Sequence, residues 1–528
     1  MSKKQLSRLG SNVGFLGWLQ KVGNKLPDPF MLFTTFSIIV IIISYFCAKA
    51  GMSVTYFVPQ ADGTLKEMTV AAVNLLSKTY FQEILKNFTK IYANFLPLGM
   101  TVIFVMGIGY MQSLGFFDAF MKRCLAGISP KWVTFMVALI GVNGNIASSG
   151  GVIMATTLGA AIFSSLKRNP ILGGVVGYVA SHGGFTASFM VSGEDALCAA
   201  ITKTVCDSMG IQATVNPLMN YYFTFMMTLI MAGIVTFVTE VIMPKFVDVT
   251  GGHVNLDAEN ALIVTDQERR GLRGAAIGML IYLILLLAAT IPENSLMRNP
   301  ETGGILPSSP LLDGVIPIIF FLFIFAGTGY GIASKRLIKM SQVSKCMSLG
   351  VSDSVSYIVV CLPAAFFIHF FNSSKLTTII AVNGADFLKT ANFTGIPLTI
   401  AFVIFCALVN LFMTSNSAKW IILAPIFVPM FAAIGLSPAL TQVAYRIGDT
   451  CTNPITPINY FIPLAIAVME QYRDKENDPE IGFGTVISMT FPYSMAFLFC
   501  LIIILIIWML LGLPVGPGTG IYIPAANF

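Results

Sequence analysis

The chain has 528 residues and is short of charge: only 11% of them are Asp, Glu, Lys or Arg, where soluble domains carry about 25%. That shortage excludes an ordinary water-soluble fold. The net charge of +6 does not imply nucleic acid, because the basic residues sit in short loops between apolar runs. Histidine is scarce. His182, His253 and His369 are the whole set, and none has a metal-ligand spacing such as HExxH. The nine cysteines form no CxxC pair and scatter through apolar runs, so they read as small core residues and not as a disulfide framework or metal site. No Gly-Lys pair occurs, which leaves no Walker A loop for ATP hydrolysis. The start, MSKKQLSRLG, is polar and leads to no small-residue cleavage site, so no cleavable signal peptide is expected.

Apolar sequence is what the chain has in excess. Hydrophobic residues make up 55%, mean hydropathy is +0.79, and many windows exceed the roughly 18 apolar residues that span a bilayer. The predicted class is an all-α polytopic membrane protein. A short amphipathic interfacial helix is expected at 11–25 and a first span at 30–48, followed by a polar, lysine-containing loop over 49–92, which in one reading includes a helix. Further spans are expected at 93–113, from 171 with an interruption at 181–195, and at 219–242, 274–292, 313–333, 352–371, 438–469 and 484–512.

Lysine and arginine placement orients the chain. With the N-terminus inside, twenty basic residues fall in inner segments and nine in outer ones, while Lys419 and Arg446 fall within the membrane. The bias obeys the positive-inside rule only if 133–163 and 396–433 each enter and leave on one side. Their middles, GVNGNIASSGG (141–151) and NLFMTSNSAKW (410–420), are small and polar, as the tips of re-entrant hairpins would be. Each is followed by a span with a break: SHGGFTASFMVSGED (181–195) and YRIGDTCTNPITP (445–457). Hairpin then broken helix, twice and in opposite orientation, is the pattern of an inverted-repeat transporter. Irregular backbone at that depth survives only inside protein or along an aqueous cavity.

Arg446 and Asp449 lie at i, i+3 and share a helix face. One reading is a structural ion pair between helices. The other gives Arg446 to an anionic substrate and Asp449 to a coupling cation, and the nearby Pro454 and Pro457 favour it. Asp195 is expected at the place symmetric to Asp449, with Gly183 and Gly184 marking the break, and Glu194 is expected at the interface near Lys203. Asn143, Asn145, Ser148, Ser149, Ser415, Asn416 and Ser417 offer oxygens and amides at the two tips, for substrate, for Na+, or for close helix packing. Trp420 is read as a stacking partner or an interfacial anchor, and His182 as a titrating or a neutral packed residue.

NKLPDPFMLF (24–33), AKWIILAPIFVPMF (418–431), AYRIGDTCTNPITP (444–457) and LGLPVGPG (511–518) resemble the AbgT family of p-aminobenzoyl-glutamate transporters over almost the whole chain. The resemblance implies nine spans with two opposed re-entrant hairpins, a homodimer in a bacterial inner membrane, and elevator-like transport without a cofactor beyond the coupling ion, Na+ or H+. It implies p-aminobenzoyl-glutamate or a related carboxylate as substrate, with sulfonamide antimetabolites exported by one branch. Carried onto this chain, the family's functional positions match Asp195, Trp420, Pro438, Arg446 and Asp449, with Asn410 and Ser417 at the second tip. The expected set is therefore Arg446, Trp420, Asn410, Ser417, Asn416, Asn145 and Ser148 for substrate and Asp195 and Asp449 for the ion. Na+ would lie among Asp195, Asp449, Asn145 and Ser417, with helix breaks at Gly183, Gly184, Pro438, Pro454 and Pro457. Ser149, His182, Ser188 and Pro454 depart from the family pattern and put the choice of substrate in question.

The organisation that follows is an N-terminal cytoplasmic segment (1–29), scaffold spans one and two (30–132), and a first hairpin and transport repeat (133–242). A cytoplasmic loop (243–273), scaffold spans five to seven (274–395), a second hairpin and repeat (396–513) and a tail (514–528) complete it. Two other functions stay open at this stage: a channel with re-entrant segments, and an intramembrane hydrolase using Asp195 and Asp449.

Overall fold

The computed structural model describes residues 29–523 apart from 60–64, 126–128, 145–147, 247–262, 294, 301, 306–308, 353–354, 392–393, 414, 457–458, 460 and 474–480. The expected helix at 11–25, Asn145 and Pro457 lie outside the described residues, as do the side chains of Ser148 and Ser149.

Helices dominate. Five are long and apolar enough to cross a membrane among the described residues: α1 (Pro29–Lys49), α9 (Tyr221–Phe237, continued by a π-turn over 238–242), α10 (Asp266–Ala288), α11 (Val315–Ala333) and α19 (Phe483–Leu510). Two further candidates are bent pairs. Helix α3 (Leu96–Ser113) meets α4 (Phe116–Leu125) at 67°, and α13 (Val355–Ser373) meets α14 (Leu376–Thr390) at 66°. The bends have local causes: Gly115 has φ +80° and Lys375 φ +61°, left-handed conformations that end a helix. Helix α12 (Ser341–Ser352) packs on α3.

The 49–92 segment holds a helix, as one reading of it has, and also a β-hairpin that is not among the expected elements, so the chain departs from an all-helical fold. Residues Ser53–Pro59 (β1) and Leu65–Ala71 (β2) form an antiparallel hairpin. An amphipathic helix, α2 (Lys78–Ala93), follows, with Ser77 as its N-cap. The strand sequences carry β-branched and aromatic residues that favour this pairing.

The two polar-tipped segments are pairs of short helices. The first pair is α5 (Val133–Gly144) and α6 (Ser148–Ser165), and the second is α15 (Gly395–Asn410) and α16 (Asn416–Ala432). Near the first tip a Cβ on Gly151 would lie 1.8 Å from the Gly144 carbonyl oxygen, so the backbones approach this closely only because residue 151 is glycine. Each pair leads into a broken span. In the first, α7 (Pro170–Gly183) and α8 (Gly193–Met209) are separated by nine non-helical residues, 184–192. In the second, α17 (Pro438–Thr452) passes through a tight turn at Asn453–Ile455 before α18 (Ile462–Glu470). Helices α7 and α17 start alike: Asn169 and Ser437 cap free backbone N–H groups, and Pro170 and Pro438 occupy the first turn, where a missing N–H costs nothing. Pro438 therefore begins a helix and does not break one.

The core has two main clusters. One runs through both broken spans, α9 and α19, and the other joins α3, α4, α10 and α11. Helix α17 lies deep in the first cluster: every residue from Pro438 to Thr452 is buried.

Candidate functional site: two buried ion pairs at the breaks

Four charged side chains meet where the two broken spans cross. Arg446 is 1% exposed, Asp195 5%, Lys419 1% and Asp449 0%. Charges that deep are tolerable only when paired and hydrogen-bonded, and here each is.

The α7–α8 break supplies one pair. Helix α8 opens with a capping box in which Ser192 and Asp195 bond each other's backbone. The Ser192 N–H and hydroxyl donate to Asp195 Oδ2 at 2.6 and 2.7 Å, which aims Oδ1 at the Arg446 guanidinium. The remaining Arg446 reach goes to the Phe185 carbonyl in the broken segment: Nε donates at 2.7 Å, Nη2 donates as well, and the guanidinium carbon lies 5.0 Å from the centre of the Phe185 ring. Unwinding at 184–192 frees the Phe185 carbonyl for this contact. Thr186, in the same segment, donates to the Arg446 carbonyl at 2.9 Å and pairs with Thr450.

The second hairpin supplies the other pair. Lys419, in the first turn of α16, places its ammonium against Asp449 Oδ1 and Asn410 Oδ1. Asn410, the last residue of α15, donates from Nδ2 to the Asp449 carbonyl, Thr452 Oγ1 and Asn453 Oδ1, each at 2.9 Å. Asn453 donates to Asp449 Oδ2 at 3.1 Å. One ammonium thus ties both arms of the hairpin to α17 just before its break.

Trp420 is fully buried and does not anchor an interface. Its ring stacks on Tyr445 at 4.6 Å and 23°, and Nε1 donates to Thr202 Oγ1 at 2.9 Å. Thr202 donates to Gln442 Oε1 at 2.7 Å. His182 contacts the Tyr178 carbonyl through Nδ1 and Asn459 through Nε2, each at 2.8 Å. Asn459 also donates to the Asn453 carbonyl at 3.0 Å and accepts from the Phe461 N–H, so its amide points N–H at His182. That arrangement holds a neutral imidazole with its proton on Nδ1, and it links the first break to the Lys419–Asp449 pair.

Arg446 and Asp449 share α17 as their spacing predicts, but they serve different partners. Asp195 and Asp449 are not at equivalent stations. Counting from the first-turn prolines, Asp449 corresponds to Ser181, whereas Asp195 starts the second half of its span. Gly183 and Gly184 end α7 as expected, and Pro454 lies in the tight turn. Glu194 is half-buried, with Oε2 enclosed and unpartnered, and does not lie at an open interface. Ser188 is buried, and its hydroxyl accepts from the Met190 N–H at 3.2 Å. Ser417 and Asn416 are half-buried at the second tip. The Ser417 hydroxyl lies 3.4 Å from that of Ser415, and the Asn416 carbonyl accepts the Tyr445 hydroxyl at 2.5 Å. Sequence reasoning placed Lys419 in the membrane and gave it no role. Its signal was the same as that of Arg446: a cation inside an apolar run.

The sequence model of the "AbgT putative transporter family" matches residues 14–523. The chain belongs to the AbgT transporter family. The p-aminobenzoyl-glutamate transport protein of Escherichia coli (strain K12) is 30% identical over 521 residues, covering 98% of this chain and 99% of the relative. The structure of MtrF from Neisseria gonorrhoeae, one of a class of antimetabolite efflux pumps, matches with TM-score 0.87 and 34% identity over 96% of this chain and 100% of that one. The YdaH transporter of Alcanivorax borkumensis matches with TM-score 0.82 and 28% identity over 93% and 100%. This AbgT protein is a membrane transporter and not an enzyme, which removes the hydrolase reading.

Proposed function

We propose that this AbgT protein is a secondary active transporter, driven by a Na+ or H+ gradient, for p-aminobenzoyl-glutamate or a related aromatic or acyl-amino carboxylate in a bacterial inner membrane. The observation that carries the proposal is the pair of fully buried ion pairs at the breaks of two spans. Four compensated charges in a bilayer protein are costly to assemble and mark a transport pathway more readily than a packing device. The E. coli relative's transport of p-aminobenzoyl-glutamate supports the substrate class. The MtrF likeness makes sulfonamide antimetabolites the second cargo to test.

In this proposal Arg446 exchanges its bond to Asp195 for one to a substrate carboxylate, whose geometry matches a guanidinium fork. Trp420, Asn410, Asn416, Ser417, Asn145 and Ser148 complete the substrate's surroundings. Asp195 and Asp449 carry the coupling ion, with Asn145 and Ser417 as further Na+ ligands. The oxygens of Asp449 and Asn410 that now surround the Lys419 ammonium are hard donors of the kind Na+ accepts. The proposal includes an inside N-terminus, nine spans, a homodimer, elevator movement, and opposed re-entrant hairpins at 133–163 and 396–433. Helices α5, α6, α15 and α16 have 12, 18, 16 and 17 residues, each below the roughly 20 that cross a bilayer, which supports hairpins over spans.

The test is uptake of labelled p-aminobenzoyl-glutamate into proteoliposomes with imposed Na+ or H+ gradients. Accumulation above the external concentration that collapses with the gradient is expected. Equilibration without accumulation would instead indicate a channel.

A further inference from the structure

His182 lies in the last turn of α7, at the edge of the first break. The rings of Tyr178 and Phe461 pack on its imidazole, with centroids 4.3 and 5.9 Å away. Nδ1 donates to the Tyr178 carbonyl at 2.8 Å, since a carbonyl oxygen only accepts. Nε2 is thereby an acceptor, and it takes a hydrogen from Asn459 Nδ2 at 2.8 Å. Asn459 belongs to the other repeat, between α17 and α18, and is only 8% exposed. Its second amide hydrogen goes to the Asn453 carbonyl at 3.0 Å, and its Oδ1 accepts from the Phe461 N–H at 2.9 Å. All three bonds fit one orientation of the amide. Turned round, it would set its NH2 group against the Phe461 N–H.

Asn453 carries the chain of bonds onward. It is the C-cap of α17, and its N–H donates to the Asp449 carbonyl. Its Nδ2 donates to Asp449 Oδ2 at 3.1 Å, and its Oδ1 accepts from Asn410 Nδ2 at 2.9 Å. Asp449 Oδ1 is held by Lys419. Bonds from His182 through Asn459 and Asn453 to Asp449 thus cross from the first broken span to the second. Filling space does not require them. A leucine would occupy the gap between Tyr178 and Phe461 with similar volume, so the distinct contribution of the imidazole is the acceptor it offers Asn459.

We propose that His182 is a positioning residue for the coupling-ion site: by accepting from Asn459 it holds Asn453 where its amide directs Asp449 Oδ2, and so it sets the affinity for the ion that Asp449 carries. This deepens the proposed function and rests on its assignment of Asp449 to the ion. Without the acceptor, one hydrogen of a buried amide is unpaired, which favours turning Asn459 and releasing Asn453. Arg446 reaches Asp195 and Phe185 without passing through Asn453, so the substrate's own affinity is left alone.

The experiment measures initial uptake of labelled p-aminobenzoyl-glutamate by the full-length protein in proteoliposomes, against the concentration of the driving ion, with Na+ and H+ gradients imposed separately. His182→Leu should raise the half-saturating concentration of the driving ion about tenfold or more. The substrate KM at saturating ion and the maximal rate should stay near wild type. His182→Gln, whose Oε1 can accept from Asn459, should restore most of the ion affinity. Asn459→Ala, made from the other end of the bond, should match His182→Leu and serves if that variant does not insert. A lower maximal rate with unchanged half-saturation, or equal effects of leucine and glutamine at 182, would overturn the inference, since packing alone predicts both. A thermal-unfolding cycle in nanodiscs reads the same link without substrate. The Tm loss from His182→Leu should be clearly smaller in an Asp449→Asn background, and equal losses would overturn the inference. Wild type that accumulates nothing on either gradient counts against the proposed function, and the unfolding cycle then decides the His182 link by itself.

Discussion

Arg446 bonds Asp195, 251 residues away in sequence, and not Asp449 three residues further along its own helix. Asp449 is held by Lys419. Two charges one turn apart near the break of α17 are thus matched from different segments: Arg446 from the first broken span, Asp449 from the second hairpin. Of these two ion pairs only Arg446–Asp195 joins the two broken spans; Lys419 and Asp449 both lie within 396–513, so a movement of one span against the other would have to break or exchange the first pair and not the second.

The pairing pattern predicts a particular set of double-mutant couplings. Arg446→Ala and Asp195→Ala should each destabilise by about 3–5 kcal/mol, because each leaves a buried unpaired charge. The double variant should recover part of that loss. Arg446→Ala with Asp449→Ala should recover none, since those residues do not pair. Thermal unfolding in nanodiscs reads the difference.

Lys419 should matter as much as Asp449. Lys419→Met leaves the Asp449 carboxylate without its cation, whereas Lys419→Met with Asp449→Asn leaves no charge. The single change should lower thermal stability more than the double, by about 1–3 kcal/mol. Equal stability of the two variants would mean the ammonium contributes nothing to this site.

Gly448 sits between the two pairs, with its Cα facing α15. A Cβ there would lie 2.4 Å from the Val403 carbonyl oxygen and 2.7 Å from Cys406 Cβ. Gly448→Ala should therefore push α15 from α17 and cost about 1–3 kcal/mol, with transport reduced. Gly233→Ala, at a helical glycine with nothing within 4 Å, is the control, and it should leave both transport and stability near wild type.

Trp420→Phe keeps the stack on Tyr445 and removes the Nε1 donor to Thr202. It should cost about 1 kcal/mol through the lost hydrogen bond. Trp420→Leu, which loses the stack too, should cost more. The comparison in substrate affinity separates a stacking role from a hydrogen-bonding one.

The locations of the charges and breaks were legible in the sequence, because a charge or a Gly-Gly pair inside an apolar run has few explanations. Asp195, Arg446, Asp449 and the 183–184 break all lie where apolar runs are interrupted. Their partners were not legible. Pairing between residues 30 to 251 apart depends on how whole segments pack, and the i, i+3 spacing of Arg446 and Asp449 gives a shared helix face without naming the partner of either. The β1–β2 hairpin was hidden by reading 49–92 through its lysines and not through its alternating Val, Thr and Tyr residues. The bends at Gly115 and Lys375 depend on single left-handed residues, and for a lysine no sequence signal marks that conformation.

The most direct test of the proposed coupling compares two assays on Asp449→Asn in proteoliposomes. Counterflow exchange needs substrate binding and movement only, while accumulation also needs the ion. The account predicts that Asp449→Asn loses gradient-driven accumulation of p-aminobenzoyl-glutamate and retains exchange. Accumulation at the wild-type level by Asp449→Asn would contradict it.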